Sequence, residues 1–254
     1  MPNARRFLLY AHRGASQSRT ENSLEAFAHA LDEGANALEL DVHATRDGHF
    51  VVFHDRDGGR LAGRPERIRD TTLSQLKDWR LGQANVPIPT LEQCLNRFRG
   101  TRMSIDLKPN EPVLAASFLR VLQRFECESW VTVASFHHRV ISQVRRLGWP
   151  GRTALSRYEV VLLRFLPASA LLRRRLGGQC AQIPRTVGPV RFDRKALLRR
   201  CHLLGLRADY WVVNDPVEAL KLIRRGATGL MTDDPEGLAP HIRDLLRPTA
   251  PTAP

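Results

Sequence analysis

The chain alternates short apolar runs with longer segments in which apolar residues recur every three or four positions. Short runs of this kind are typical of strands, and the longer periodic segments are typical of amphipathic helices. Strand and helix patterns in turn favour parallel βα units. The strand-like segments begin near residues 6, 37, 102, 130, 152, 179, 208 and 229. Eight such units predict the α/β class and a TIM (β/α)8 barrel.

One barrel domain is predicted over residues 1–247, because barrels of this kind commonly reach this length undivided. Residues 56–100, between the second and third strands, form a small insertion with two short helices. Residues 248–254 have no apolar pattern and are predicted to be disordered. The helices predicted from the periodicity are 23–31, 73–79, 91–98, 112–125, 138–147, 160–175, 194–205, 216–225 and 236–246.

The second predicted strand carries two acidic residues on one face. Side chains alternate along a strand, so Glu39 and Asp41 share one face and the apolar residues between them share the other. Two inward carboxylates repel each other unless a cation lies between them, which favours a divalent metal site. The alternative is a strand whose polar face lies in water. The third strand repeats the pattern with Asp106 and Lys108.

Further polar residues lie at the ends of predicted strands, where TIM barrels carry their reactive groups. His12 ends the first strand. The dipeptide 47–48, Asp-Gly, predicts a type I′ hairpin that returns His54 toward the acidic strand. Asn214 and Asp233 follow the last two strands, and each is also a candidate cap for the helix after it.

Glu21 and Asn22 precede the first helix, and each has a structural and a functional interpretation. Asn22 fits the N-cap of that helix, with Glu25 three residues later completing a capping box. Glu21 either supplies negative charge near the helix start, where it is favourable, or orients a group in the active site. We treat both as candidate supporting residues.

The net charge of +13 is concentrated in one part of the chain. Residues 139–207 contain 16 Lys and Arg against two acidic residues, Glu159 and Asp193, which leaves −1 for the rest. A positive field of this size attracts nucleic acid, an anionic membrane surface or a phosphate-bearing substrate. The charge alone does not distinguish these partners.

The cysteines and the apolar runs exclude several protein classes. The four cysteines are widely separated and include no CxxC pair, so neither a zinc site nor a disulfide framework is predicted. The early apolar run at residues 7–11 is too short for a signal peptide, and no run approaches the roughly 20 residues of a membrane span. We therefore expect reduced cysteines in a cytoplasmic protein.

Seven short motifs, taken together, resemble the glycerophosphodiester phosphodiesterase family. Each motif alone is weak, but their order and spacing are specific from residue 10 to about residue 238. The resemblance implies a metal-dependent TIM-barrel hydrolase that acts on glycerophosphodiesters. The motifs are Ala11-His12-Arg13-Gly14, Glu21-Asn22-Ser23, Glu39-Leu40-Asp41-Val42, His54-Asp55, Asp106-Leu107-Lys108, Trp211-Val212-Val213-Asn214 and Gly229-Leu230-Met231-Thr232-Asp233.

The resemblance also implies a divalent cation held by Glu39, Asp41 and Asp106, and oxygen ligands favour Mg²⁺ or Ca²⁺. His12 and His54 match the family's general acid and base. Imidazole suits both roles because its ordinary pKa, near about 6.5, keeps both protonation states available at neutral pH. One histidine is expected to deprotonate water or the neighbouring glycerol hydroxyl, and the other to protonate the departing alkoxide, in either order.

Arg13 and Lys108 match positions that contact the phosphate. A guanidinium can bind two phosphate oxygens at once, and an ammonium supplies a point charge. With the metal they would neutralise an anion that otherwise resists a nucleophile. Phe136 and Trp211 are expected to line the substrate mouth if the resemblance holds, and to be ordinary core residues if it does not.

The chain departs from the family pattern in two places. Residues 56–61 read Arg-Asp-Gly-Gly-Arg-Leu where the family has a Leu-Asp-Arg-Thr-Thr-like segment, so the substrate loop is altered. Asp106 stands where Glu is common, and an Asp-x-Lys arrangement is similar to the sphingomyelinase D-like phospholipases, which cyclise their lipid substrates. A lyase that forms a cyclic phosphate is therefore the alternative to hydrolysis.

Residues 158–176 combine apolar residues with a terminal Arg cluster. This segment fits either a membrane-surface helix or an outer barrel helix broken at Pro167.

A third hypothesis for the function, after the hydrolase and the lyase, is a non-catalytic barrel that binds nucleic acid or membrane through residues 139–207, but the complete set of acid, base and metal residues disfavours it. Our leading prediction is release of glycerol 3-phosphate and an alcohol from glycerophosphodiesters, with lysophospholipids as further substrates. The sequence predicts no oligomeric state.

Overall fold

A computed structural model describes residues 6–174 and 176–246 of the chain. In this part, eight parallel strands follow each other in the order β5-β4-β3-β2-β1-β8-β7-β6. A parallel bridge between Ala154 and Cys180 joins the two ends of this row, so the sheet closes into a barrel. The strands are β1 (Leu8–His12), β2 (Ala37–Ala44), β3 (Arg102–Leu107), β4 (Val131–Ala134), β5 (Arg152–Thr153), β6 (Cys180–Pro184), β7 (Arg207–Trp211) and β8 (Gly229–Thr232).

The predicted barrel is confirmed, and each strand begins within two residues of its predicted start. The alternation within β2 is also as predicted. Leu38, Leu40 and Val42 face outward into the apolar layer under the helices, whereas Glu39 and Asp41 line the cavity at the top of the barrel. The period of two along a strand therefore places both carboxylates inside.

Helices cover the outside of the barrel. The apolar faces of α1, α4, α5 and α6 pack on one half of it, and those of α7 to α11 pack on the other half. The α-helices of the described residues are α1 (Leu24–Asp32), α2 (Gly59–Ala62), α3 (Leu73–Leu76), α4 (Leu91–Arg97), α5 (Leu114–Arg124), α6 (His138–Arg146), α7 (Arg157–Phe165), α8 (Ala168–Arg174), α9 (Lys195–Leu203), α10 (Pro216–Arg225), α11 (Pro235–Leu238) and α12 (Arg243–Leu246).

The bounds of one helix over 160–175 are wrong, because Pro167 divides this segment into α7 and α8. The alternative interpretation, an outer barrel helix broken at Pro167, is confirmed. Proline disfavours helical geometry in the residue before it, and Leu166 is extended, with φ −78° and ψ 150°. The first of the two helices also starts earlier than predicted. Ser156 caps it, and Glu159 three residues later completes a capping box.

The prediction of one helix over 236–246 is also wrong. The segment consists of α11, a 3₁₀ turn at Ala239–Ile242, and α12.

The predicted disordered tail, 248–254, lies outside the described residues. Within residues 6–174 and 176–246, no helix is long and apolar enough to cross a membrane. The four cysteines are buried, and each is free.

The insertion after β2 has its own small core. Val51, Ile68, Leu76 and Trp79 pack together in it, beside a short antiparallel pair of strands at Asp57–Gly58 and Arg64–Arg67. Its helices α3 and α4 begin at capping boxes, and each is shorter than predicted. This core supports the loop that carries His54.

A hairpin between β2 and the short strand Phe50–Val52 brings the chain back beside the acidic strand. Gly48 has φ +83°, but Asp47 does not have positive φ, so the predicted type I′ turn is wrong. The connection is a longer loop with glycine in the left-handed position. The backbone amide of Phe53 donates a hydrogen bond to the backbone carbonyl of Asp41 (2.9 Å). The next residue, His54, therefore lies near Asp41, as predicted.

Candidate active site

The inward residues at the carboxyl ends of β1, β2 and β3 meet in one layer. His12 is in register with Glu39, and Asp41 is in register with Asp106 on the next strand. The three carboxylates are all buried, with Asp41 only 1% exposed. Parallel strands with matching registers thus bring together residues that are up to 94 positions apart in sequence.

Lys108 lies between two of these carboxylates. Its Nζ is 2.7 Å from Asp41 Oδ1 and 2.8 Å from Asp106 Oδ2. Burial lowers the pKa of Lys108, but the three nearby carboxylates, led by Asp106, outweigh burial and raise the pKa above its ordinary value. Burial raises the pKa of Asp41, and Lys108 and Arg13 outweigh that effect and lower the pKa. Both groups are therefore charged at neutral pH.

Glu39 is the least neutralised carboxylate of this layer. It is buried, and its pKa is raised to about 7 by burial and by the neighbouring charge of Asp41. Its Oε2 accepts a hydrogen bond from the backbone amide of Arg13 (3.3 Å) and lies 3.9 Å from His12 Nε2. A carboxylate held near its titration point by neighbouring negative charge favours an additional cation.

Arg13 reaches across the layer from the turn after β1. Its Nε lies 3.2 Å from Asp41 Oδ2, and its Nη1 donates to Glu21 Oε1 (3.1 Å). The backbone of Arg13 is in the left-handed region, with φ +58°, and so is that of Gly14. A Cβ on Gly14 would lie 2.7 Å from the backbone of Ala26, so the close approach of this turn to α1 requires glycine.

Asn22 is fully buried and binds Asp41 rather than capping α1. Its Nδ2 donates to Asp41 Oδ2 (2.9 Å), and its backbone has φ +55°. The N-cap is Ser23, whose Oγ accepts from the amide of Ala26 (3.0 Å). The prediction of Asn22 as the cap is therefore wrong, and its side chain is free to hold a carboxylate of the site.

His12 is oriented by Asp233 at the end of β8. The Nδ1 of His12 lies 2.7 Å from Asp233 Oδ1, which also accepts from the hydroxyl of Ser16 (2.9 Å). Asn214 Nδ2 donates to the second oxygen of Asp233 (3.1 Å). Burial lowers the pKa of His12, but the hydrogen bond to Asp233 and the charge of Glu39 outweigh it and raise the pKa. Nε2 of His12 is left to face the cavity.

The capping interpretation of Asn214 and Asp233 is wrong, because the residue after each of them is the cap. Asp215 accepts from the amide of Val217 at the start of α10, and Asp234 accepts from the amide of Gly237 in α11. Burial raises the pKa of Asp233, and its hydrogen bonds from His12 and Asn214 outweigh that effect, lowering the pKa to about 2. Asp233 is therefore ionised and available to hold the imidazole.

His54 is oriented by a chain of charged groups in the insertion. Its Nδ1 lies 2.7 Å from Asp55 Oδ1, and Arg60 Nε donates to Asp55 Oδ2 (2.7 Å). The two Nη atoms of Arg60 then bind both oxygens of Glu21, each at 2.8 Å. Since Glu21 also accepts a hydrogen bond from Arg13, this chain of contacts connects His54 to Arg13 on the other side of the cavity.

The structure brings all eleven predicted site residues together, and their roles stay predictions. The sequence reasoning gave no role to three polar residues that hold them in place, namely Ser16, Asp55 and Arg60. Asp55 had a local signal, since it follows His54 directly, whereas Ser16 and Arg60 carried no pattern that distinguished them. Asp233 was singled out at the end of a predicted barrel strand, but its contact with His12 was not predicted.

The carboxylates, both histidines and the cations line one cavity of about 450 Å³. Phe136 and Trp211 also line it, and their rings meet edge to face with centroids 5.8 Å apart. Lys108 Nζ lies 5.6 Å from the centre of the Phe136 ring. A second cavity of about 460 Å³ adjoins the first, because His54, Asp106, Lys108 and Phe136 line both.

The three carboxylates suit a hard divalent cation in their chemistry, although Lys108 lies between two of them. Among residues 6–174 and 176–246, no three Asp, Glu, His or Cys side chains are already grouped as a metal site. Asp106 Oδ1, however, is buried and has no hydrogen-bond partner. A buried carboxylate oxygen without a partner is costly, and coordination to a cation would remove that cost. The residues therefore fit the ion.

Comparison with known proteins gives a family match across most of the chain. Residues 12–237 match the model of the glycerophosphoryl diester phosphodiesterase family. A probable glycerophosphodiester phosphodiesterase 2 from Mycobacterium tuberculosis is 32% identical over 93% of this chain and 89% of its own length. A human lysophospholipase D is 27% identical over 93% of this chain and 85% of its own length.

The fold also matches solved structures. One neighbour is a phosphodiesterase from Oleispira antarctica in complex with the product sn-glycerol-3-phosphate. It has a TM-score of 0.79, covers 94% of this chain and 97% of its own, and is 23% identical. At this identity the likeness establishes the shared barrel fold.

Proposed function

Since the chain belongs to the glycerophosphoryl diester phosphodiesterase family and is an enzyme that hydrolyses glycerophosphodiesters, we propose that His12 and His54 are its general acid and base. Both imidazoles line the cavity, and each has its Nδ1 held by a carboxylate at 2.7 Å. Fixing Nδ1 in this way leaves Nε2 to exchange a proton with the substrate. This paired arrangement is the observation that carries the proposal.

The substrate phosphate binds between Arg13 and Lys108 in this proposal. Both side chains are largely buried, each being 18% exposed, and both are held by Asp41 on the floor of the cavity. Cations already fixed by ion pairs need little reorganisation when an anion arrives. They neutralise the phosphodiester, so that an oxygen nucleophile can approach the phosphorus.

One histidine accepts a proton from water or from the neighbouring glycerol hydroxyl, and the other donates a proton to the leaving oxygen. If the hydroxyl attacks, the P–O bond to the alcohol breaks and a cyclic phosphate forms. Water then opens the ring to glycerol 3-phosphate. The two histidines exchange roles in that second step, since the donor of the first step has lost its proton.

Glu39, Asp41 and Asp106 would hold one divalent cation, Mg²⁺ or Ca²⁺. When bound, such an ion stabilises the negative charge that develops on the phosphate oxygens. The unpartnered Asp106 Oδ1 and the pKa of about 7 for Glu39 support this assignment. Both observations indicate that negative charge in this layer is not fully neutralised by Arg13 and Lys108.

Lysophospholipids are further substrates in this proposal, and the enzyme works in the cytoplasm at a membrane surface. The similarity to a human lysophospholipase D supports this extension. The predicted membrane segment, 158–176, exposes Tyr158, Val161 and Phe165 beside several arginines. Apolar side chains flanked by basic ones bind the boundary of an anionic bilayer.

Turnover of glycerophosphocholine and lysophosphatidylcholine with Mg²⁺ or Ca²⁺ tests the function directly. We expect release of glycerol 3-phosphate or its acylated form, and loss of at least about 100-fold in kcat when His12 or His54 is changed to Ala. Unchanged circular dichroism would show that the variants fold. Turnover retained by either variant would refute the catalytic assignment.

The cyclising lyase is the second candidate function, favoured by the Asp106-x-Lys108 arrangement. Both reactions would use Arg13 and Lys108 to bind the phosphate and the two histidines to transfer protons. They differ in whether water then opens the cyclic phosphate. Phosphorus NMR of the products separates them. A monoester alone supports hydrolysis, whereas a cyclic phosphate that persists after substrate is consumed supports the lyase.

A further inference from the structure

The catalytic cavity has a second side that the proposed chemistry does not use. In the circular strand order, β1 lies opposite β5, and β2 lies opposite β6. His12 comes from β1, Glu39 and Asp41 come from β2, and Asp106 comes from the neighbouring β3. The far wall of the same 450 Å³ cavity comes from β5 and β6 and from the segments that follow them.

This far wall is mostly apolar, and its polar residues are Arg157 and Gln182. Its apolar residues include Leu155 after β5, Val160 and Val161 on α7, and Val187 and Phe192 from the chain that follows β6. Gln182, which also lines the cavity, donates its amide hydrogen to Ser104 Oγ (2.7 Å) across the barrel. We call the five apolar residues the apolar wall.

The apolar wall becomes more exposed toward solvent. Leu155, Val160 and Phe192 are 5–8% exposed, whereas Val161 and Val187 are 43% and 49% exposed. The wall therefore leads from the buried site to an open mouth. Exposed apolar surface that continues a ligand cavity favours an apolar ligand group.

We propose that the apolar wall binds the single hydrocarbon chain of a monoacyl or monoalkyl glycerophosphodiester, and that Val161 and Val187 at the mouth set the preference for chain length. This inference rests on the proposed function of the same site. Arg13 and Lys108 fix the phosphate on one side of the cavity. The rest of an amphipathic substrate then extends across the barrel to the opposite wall, whose surface is mostly hydrocarbon.

The test is a series of lysophosphatidylcholines of increasing chain length, each below its micelle concentration, compared with glycerophosphocholine. Each methylene that binds is worth about 0.8 kcal/mol, which corresponds to about a fourfold rise in kcat/KM. We expect kcat/KM to rise along the series until the wall is filled. In the variant Val161→Asn/Val187→Asn, we expect a loss of at least about tenfold with long chains and less than about twofold with glycerophosphocholine.

The matched control is Val217→Asn, because Val217 is 58% exposed at the start of α10 and does not line the cavity. It should leave the whole series unchanged. Equal kcat/KM for chained and chainless substrates, or an equal loss for both in the double variant, overturns the inference while leaving the proposed function intact.

Failure of the proposed function gives a different result, namely no turnover of any member of the series. The apolar wall is then tested by calorimetric titration with phosphocholine and with alkylphosphocholines of 6 to about 12 carbons. Affinity that rises with chain length, and falls in the double variant but not in Val217→Asn, supports the wall. Affinity independent of chain length refutes it.

Discussion

His12 Nδ1 and Asp233 Oδ1 are 2.7 Å apart, although the two residues are separated by 221 positions in the chain. They meet because β1 and β8 are neighbouring parallel strands, with Ala11 in register with Thr232. Pairing of the last strand with the first thus fixes the orientation of His12. In the proposed mechanism Asp233 is a positioning residue rather than a catalytic one, since it acts through His12.

Asp233→Asn should lower kcat by about 10- to 100-fold and shift the pH profile. The substitution keeps the size of the side chain but removes the charge that raises the pKa of His12. The limb of the kcat/KM profile that belongs to His12 should therefore move to lower pH. Initial rates on glycerophosphocholine between pH 5 and about pH 9 measure this shift.

Asp234→Asn is the control for that substitution. Asp234 is adjacent in sequence and caps α11, and asparagine is also a good N-cap. It should leave both kcat and the pH profile unchanged. Identical profiles for the two variants would show that Asp233 has only a structural role.

Arg60→Ala should reduce activity much more than stability. Arg60 joins Asp55, which holds His54, to Glu21, which holds Arg13. Its side chain is 48% exposed, and exposed ion pairs contribute little to the free energy of unfolding. We expect kcat/KM to fall about 10- to 100-fold through loss of positioning, with a change in Tm of less than about 2 °C.

The measurement pairs steady-state kinetics with a thermal melt, and Arg64→Ala is the matched control. Arg64 is an exposed arginine of the same insertion and does not line the catalytic cavity. Arg60→Lys should recover part of the activity, because lysine keeps the charge but cannot bind Asp55 and Glu21 at once. Equal activity in the Arg60→Ala and Arg64→Ala variants would contradict the proposed coupling.

The sequence predicted those parts of the site that depend on strand period and strand order. Period two places Glu39, Asp41 and Asp106 inside the barrel, and the strand count places His12 at the same end. It did not predict the bond from His12 to Asp233, since no local pattern links residues so far apart. These long contacts depend on the register in which the barrel closes.

Local ambiguity accounts for the other errors. Asn22 and Ser23 are both good N-caps, so their identities alone could not show which one caps α1 and which one binds Asp41. The turn at Asp47-Gly48 has a dipeptide that suits type I′, but tertiary contacts select a longer loop. Proline was expected to break the helix near residue 167, yet the predicted boundaries ignored it.

Glu159→Gln should destabilise the protein in a pH-dependent way. Glu159 is buried on α7, binds Arg145 through both oxygens (2.8 and 3.2 Å) and accepts from the amide of Gly177 (3.1 Å). Glutamine can retain the capping box with Ser156, but its NH2 group cannot accept the hydrogen bonds from Arg145 and Gly177. Loss of the charged hydrogen bonds should cost about 2 kcal/mol, or a fall of about 4–8 °C in Tm at pH 7.

The pH dependence follows from the pKa of Glu159. Burial raises this pKa, but the hydrogen bonds and charge of Arg145 outweigh burial and lower it below the ordinary value. The stabilisation is therefore complete above about pH 4.3 and is lost as the pH falls through the lower pKa of the folded state. Calorimetry from pH 7 to pH 3 should show the difference in Tm between the two proteins shrinking, and a constant difference would contradict the ionised state.

Addition of Mg²⁺ or Ca²⁺ to chelator-treated protein should raise its Tm, and Asp106→Asn should abolish that rise. A ligand at 100 times its dissociation constant stabilises the folded state by about 2.7 kcal/mol, or about 5–10 °C for a protein of this size. Asparagine keeps the shape of Asp106 but removes the charge at Oδ1, which is buried without a partner. Thermal melts measure this effect independently of activity.

Asp70→Asn controls for general effects of divalent ions on a charged surface, since Asp70 is 62% exposed and lies outside the catalytic cavity. It should keep the full rise in Tm. Asp106→Glu should restore part of the rise, because it retains the carboxylate on a side chain longer by one methylene. If the Asp106→Asn protein gains as much Tm as the Asp70→Asn protein, the cation binds elsewhere and the three-carboxylate site is refuted.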